Sequence, residues 1–147
     1  MKQIQFQVEI NAPAKNAWDA LWEDDNYRKW TSAFCEGSYA VSDWQKGGKI
    51  HFLTPTGEGM YSTITELIPY EKMFFTHHGE IKNNEEQPIT KETKSWSGAR
   101  ENYSLSENNG TTTIKVEMDI VESHAAYFED AFPKGLAIVK QIAENLS

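Results

Sequence analysis

One cysteine, Cys35, occurs among the 147 residues of the chain, so no disulfide can form within it and a covalently stapled fold is excluded. A lone thiol cannot complete the cysteine sets of common zinc sites. The four histidines, His51, His77, His78 and His124, stand at neither HxxxH nor HExxH spacing, so no metal site is expected. Positive charge is also short. The 14 Lys and Arg face 22 Asp and Glu for a formal net charge of −8, which disfavours nucleic acid and anionic membrane surfaces as partners. No apolar run approaches the roughly 20 residues that span a bilayer. The N-terminal MKQIQFQVEI alternates apolar and polar residues where a signal peptide needs a continuous apolar stretch. GxSxG, GxGxxG and GxxxxGK are all missing, so nucleophile-elbow hydrolases, dinucleotide enzymes and P-loop enzymes lack their starting residues. These absences lead to the expectation of a cytoplasmic protein without cofactor, metal, nucleic-acid partner or membrane insertion.

Aromatic residues, in contrast, are plentiful: five Trp, six Tyr and seven Phe make up 12% of the chain. Composition leaves open whether these rings fill a core or line a pocket. The length fits one domain over residues 1–147 at roughly 100–200 residues per domain.

Periodicity supplies the elements. Ile4, Phe6, Val8 and Ile10 alternate with Gln3, Gln5, Gln7 and Glu9, which predicts a strand with one buried face. Pro13 ends it and suits the first turn of a helix carrying Ala17, Trp18, Leu21 and Trp22. Asp24 and Asp25 are placed to cap a second short helix with Tyr27, Trp30 and Phe34. Strands are then expected at residues 39–44, 49–54, 60–68, 73–80, 96–107 and 111–121. Residues 81–95 hold no aromatic residue and balance three Lys with three Glu, so a mobile lid or a solvated connection is expected there. Ser123 is a candidate cap for a terminal helix with Phe128, Phe132, Leu136, Val139, Ile142, Ala143 and Leu146 on one stripe, and Pro133 should kink or split it.

The pair Asn109-Gly110 fixes a register. Both central residues of a type I′ hairpin need positive φ, which this pair tolerates. With these two at the turn, Leu105 opposes Ile114, Tyr103 opposes Val116, and Glu101 opposes Met118 on the inward face. A carboxylate on that face is the one anomaly in the pattern.

Several segments carry a resemblance. They are Val8-Glu9-Ile10-Asn11-Ala12-Pro13 leading into Ala17-Trp18-Asp19-Ala20-Leu21, Tyr27-Arg28-Lys29-Trp30, Gly47-Gly48-Lys49-Ile50, Thr65-Glu66-Leu67-Ile68-Pro69 and Met73-Phe74-Phe75-Thr76. In this order the chain resembles the START-like helix-grip superfamily (SRPBCC), in the branch related to the C-terminal domain of the activator of the 90-kDa heat-shock protein ATPase. Phe132-Pro133 departs from that pattern. The resemblance implies an α+β fold, a curved seven-stranded antiparallel sheet gripping a long C-terminal helix, with two short helices between strands 1 and 2. It also implies a cavity for a small hydrophobic molecule such as a lipid, sterol or polyketide. Some members catalyse cyclisation or dehydration there, and a chaperone contact is a further implied partner. The eukaryotic chaperone activator has an additional N-terminal domain that these residues do not contain, which places that role behind ligand binding.

Alternation and the resemblance together select the candidate site. Phe52, Phe75, Tyr103, Phe132 and Leu136 face inward, and Trp30 and Phe34 belong at the cavity mouth. His77 and Glu101 are the inward polar pair: either an acid–base couple and ligand anchor or a hydrogen-bonded structural pair. Glu66 is a further polar candidate, or a surface charge at a strand end. His77 and His78, adjacent on a strand, point to opposite faces and cannot chelate one ion. Cys35 with His77 as nucleophile and base is a remote alternative, since buried thiols are usually inert.

Overall fold

In the computed structural model, described for residues 1–146, β1 (Lys2–Ile10) leads into α1 (Ala14–Trp22) and α2 (Asp24–Thr31). There follow β2 (Tyr39–Ser42), β3 (Lys49–Leu53), β4 (Gly59–Ile68), β5 (Lys72–Lys82), β6 (Glu85–Glu86), β7 (Arg100–Asn108), β8 (Thr111–Ile120) and α3 (Ala125–Glu144). The sheet runs β1-β8-β7-β5-β4-β3-β2 with antiparallel neighbours, and β6 pairs only with β5. This is the expected α+β helix-grip arrangement with a two-residue eighth strand added.

The sheet's buried face follows directly from alternation. Ile4 and Ile10 of β1 are buried and Phe6 and Val8 half-buried, while the intervening residues are exposed. In β8 every second residue, Thr112 to Ile120, is buried. α3 packs against β1, α1 and α2, closing the core around Leu21, Ile114, Val116, Leu136 and Val139. Gly135 permits the close approach to α2: a Cβ there would lie 3.2 Å from the rings of Phe34 and Trp30. Asn109 and Gly110 have φ of 54° and 80°, and the β7–β8 register has Glu101 opposite Met118, Tyr103 opposite Val116 and Leu105 opposite Ile114, as the type I′ turn requires.

Several local expectations need correction. Asp24 and Asp25 lie inside the first turn of α2 and Glu23 is its N-cap residue, so these carboxylates act through the helix dipole and not as caps. Phe34 lies beyond the end of α2. Ser123 falls in a short 3₁₀ turn, Glu122–His124, and His124 precedes α3. Pro133 lies inside a continuous α3 and does not split off its first turn. The hydrogen bond it forfeits involves the carbonyl of Glu129, and both residues are exposed, so water can replace the missing donor.

β7 begins at Arg100, because residues 96–99 form a turn after the 3₁₀ segment Thr93–Ser95. Residues 81–95 are largely exposed, as a solvated connection is expected to be, yet they carry local structure. Asn83 and Asn84, at φ of 54° and 62°, turn the chain back so that Glu85–Glu86 pairs with β5. Thr90 and Thr93 exchange side-chain and backbone hydrogen bonds, leaving Thr93 buried. Short polar side chains that bond their own backbone can order a segment with little apolar content.

Candidate functional site

Two bulges in the β4–β5 ladder decide which side chains meet. The extra residue His78 lies between the pairs Tyr61–Gly79 and Ser62–His77, and Thr65 lies between Ile64–Phe75 and Glu66–Phe74. The first bulge sets Ser62 directly opposite His77, both on the buried face. Ser62 Oγ and His77 Nδ1 are 2.6 Å apart. Across to β7, Phe75 opposes Glu101, so His77 is the diagonal neighbour of Glu101, a reach open to long side chains. Their Nε2 and Oε1 atoms are 3.0 Å apart. Tyr103, two residues along the same strand and on the same face, donates its hydroxyl to Glu101 Oε2 at 2.5 Å. A continuous polar chain, Ser62–His77–Glu101–Tyr103, therefore crosses three strands.

Burial orders this chain. Ser62 and Tyr103 are each 1% exposed and His77 is 5% exposed, whereas the Glu101 side chain keeps 17% exposure. Burial first, then the neighbouring Glu101 carboxylate, holds the Tyr103 phenol well above its ordinary value, so Tyr103 stays protonated and donates. Burial also pushes the Tyr27 phenol up, with Glu101 adding to it.

Glu101 opens onto a cleft of about 210 Å³ between α2, α3 and the strands β3, β4 and β7. Of the fifteen residues lining it, eight are aromatic. Expected residues found there are Trp30, Phe34, Phe52, Glu101, Tyr103 and Phe132. Trp22, Tyr27 and Phe128 join them; their places on apolar helical stripes were legible in the sequence, but the direction of those stripes toward the cleft was not. The rings brace one another edge-on: Phe34 meets Phe132 at 4.8 Å and Trp30 at 6.1 Å between centroids. Trp30 Nε1 donates to the Leu21 carbonyl at 2.9 Å, so its polar edge is already satisfied.

Four expected residues lie elsewhere. Phe75 is fully buried behind Phe52, at 5.2 Å between ring centroids. Leu136 belongs to the closed core. His77 stands one hydrogen bond behind Glu101 and does not line the cleft. Glu66 pairs with Lys46 at 3.3 Å outside the cleft. Cys35 is exposed and its thiol reaches only the Glu36 carbonyl, apart from His77. Ser62 was missed; alternation with Met60 and Ile64 marks its face, but its partner depends on the bulge. No residue of 81–95 borders the cleft, so the segment does not lid it.

A second depression, of about 250 Å³, lies across Trp22, among Trp18, Trp44, Leu67 and Met73 with Asp19 and Glu23 at its margin. It contains none of the polar chain. No cluster of three or more potential metal-ligating side chains occurs among the described residues, and none of the described helices is long and apolar enough to cross a membrane.

Comparison with known proteins agrees with this fold. MLL2253 from Mesorhizobium loti superposes with a TM-score of 0.74 at 11% identity, over 99% of each chain. The Aha1 dimer from Colwellia psychrerythraea gives a TM-score of 0.70 at 19% identity, over 99% of this chain and 100% of that one. DynU16, a protein of the dynemicin biosynthetic locus, gives 0.69 at 11% identity over 99% of this chain but only 48% of its own length, so the present chain spans about half of it. At such identities these likenesses establish the fold alone. No curated protein sequence matches. The sequence does match the family described as Activator of Hsp90 ATPase homolog 1-like protein over residues 11–143. Running from the residue after β1 to α3's last turn, that match includes every residue of the cleft and of its polar chain, and the chain belongs to this family.

Proposed function

We propose that the protein binds a small hydrophobic molecule in the cleft between α2, α3 and the sheet. The observation that carries this reading is the aromatic wall around one partly exposed carboxylate, Glu101. Apolar walls with a few placed polar groups are how proteins hold and orient small ligands. Size narrows the class. A space of about 210 Å³ falls below the roughly 300–1,000 Å³ of pockets for drug-sized ligands but exceeds the about 150 Å³ that accepts benzene. One- or two-ring molecules fit this space; a sterol or long acyl chain requires it to widen. That DynU16 belongs to a biosynthetic locus accords with a small organic ligand. The test is a thermal-shift and tryptophan-fluorescence screen with indole, 1-naphthol, palmitate and cholesterol. Binding of indole or 1-naphthol, lost in Trp30→Ala, is expected; no effect at millimolar concentration from any of these probes, nor from phenethylamine or phenethyl alcohol, would end the reading.

A catalytic role rests on the 3.0 Å contact between His77 and Glu101. Because His77 stands behind Glu101, the carboxylate is the group that would take a proton from a substrate, and His77 is the positioning residue. Turnover of a cyclisable polyketide-type substrate, abolished in Glu101→Gln, is the corresponding assay. The family description also directs attention to a chaperone contact, and pull-down with the host's 90-kDa chaperone tests it.

A further inference from the structure

We propose that the ligand of this cleft is a cation: a one-ring amine or ammonium, recognised by Glu101 and the surrounding aromatic faces. The inference rests on the ligand-binding reading above and names its chemical class. Glu101 is the only charged residue among the fifteen that line the cleft. Among the described residues its only ion-pair contact is His77, and no Lys or Arg reaches it. The Ser62 hydroxyl, in a residue 1% exposed, has His77 Nδ1 as its one hydrogen-bond partner among the described residues. Were Nδ1 to carry the ring proton, the serine proton would be buried without an acceptor, at the cost of an unmade hydrogen bond. The arrangement that satisfies every atom has Ser62 donating to Nδ1 and Nε2–H donating to Glu101, with the imidazole neutral.

Arg100, the neighbour of Glu101 on β7, turns to the opposite face and pairs with Asp119 at 3.0 Å. The Glu101 carboxyl is met within the fold by His77 on one oxygen and Tyr103 on the other. A carboxylate has about four acceptor positions, so positions remain for a ligand on the side open to the cleft. The aromatic faces supply the rest, since a cation over an indole or phenyl face is attracted by its quadrupole, and more so when desolvated. A carboxylate ligand would meet like charge in an apolar surround and find no Lys or Arg there.

The test uses three probes with one skeleton: phenethylamine, phenethyl alcohol and phenylacetate, titrated into the full chain and followed by NMR or tryptophan fluorescence. The amine is expected to bind about tenfold more tightly than the alcohol, and the carboxylate not to saturate. Glu101→Gln should erase the amine's advantage, so that amine and alcohol bind the variant about equally, which separates the site from general attraction to an acidic protein. Should that variant not fold, NMR of the wild type gives the reading: amine-induced shifts are expected at Glu101, Trp30 and Phe34, and shifts spread instead over the exposed carboxylates overturn the inference. Alcohol binding as tight as amine binding, or an amine preference that survives Glu101→Gln, overturns the inference and leaves ligand binding standing. If none of the three probes binds, and none of the neutral probes above, the ligand-binding reading itself falls.

Discussion

The two halves of the buried sheet face are built from different side chains and end in different states. Beneath α1 and α3, β1 and β8 present Ile4, Ile10, Ile114 and Val116, which meet Leu21, Leu136 and Val139 in a closed core. Beside α2, β3 and β7 present Phe52, Glu101 and Tyr103, and a cleft of about 210 Å³ remains. Branched aliphatic side chains of similar size interdigitate to crystal-like density. Flat rings braced edge to face against one another, with a hydrogen-bonded polar chain behind them, cannot collapse into the remaining space without breaking those contacts. The closed half therefore carries stability, and the open half holds the proposed site.

Mutations can break this contrast if it is wrong. Leu136→Ala, at 2% exposure, should lose about 2–5 kcal/mol in urea denaturation through lost transfer energy and a residual cavity. Phe52→Ala, half-buried at the cleft, should cost below about 2 kcal/mol despite removing a larger side chain, because the wall there is already incomplete. Equal losses would mean that the cleft is packed as tightly as the core.

His77→Leu probes the polar chain and should cost about 1–3 kcal/mol, since it strips the buried Ser62 hydroxyl of its partner and Glu101 of one donor. A neutral result would show that the chain contributes nothing to holding the open half.

A smaller effect is expected from pH. The Tyr103 phenol is held well above 10.0 by burial and then by Glu101. The folded protein therefore keeps a proton that the unfolded chain releases above pH 10. The stabilising contribution is complete below that value and fades as pH climbs from it toward the raised folded value. Tyr103→Phe should flatten the loss of stability between about pH 9 and pH 11, and an unchanged alkaline slope would contradict that placement. Smallest of all, Lys134→Ala removes an ion pair with Asp130 whose side chains are 66% and 72% exposed, and should change stability by less than about 0.5 kcal/mol.

The sequence made much of this legible because the rules involved are local. Alternation placed Phe52, His77 and Tyr103 on the inner face, and the Asn109-Gly110 turn fixed Glu101 opposite Met118 without any knowledge of the rest of the chain. Glu66 obeyed no such rule: the bulge at Thr65 re-registers β4 just before it, and its charge belongs to Lys46. The order within residues 81–95 was also hidden, because hydrogen bonds between threonines leave no hydrophobic period to read.

By itself, then, the sequence determined the fold class, the inner face of each long strand and the inward carboxylate, since backbone handedness and period-two geometry act over a few residues. Only the tertiary structure decided that Ser62 meets His77, that His77 stands behind Glu101, and that the rings leave space in front of it. Those outcomes depend on a bulge and on contacts between residues 15, 24 or more positions apart in the chain, where packing and not local propensity sets the geometry.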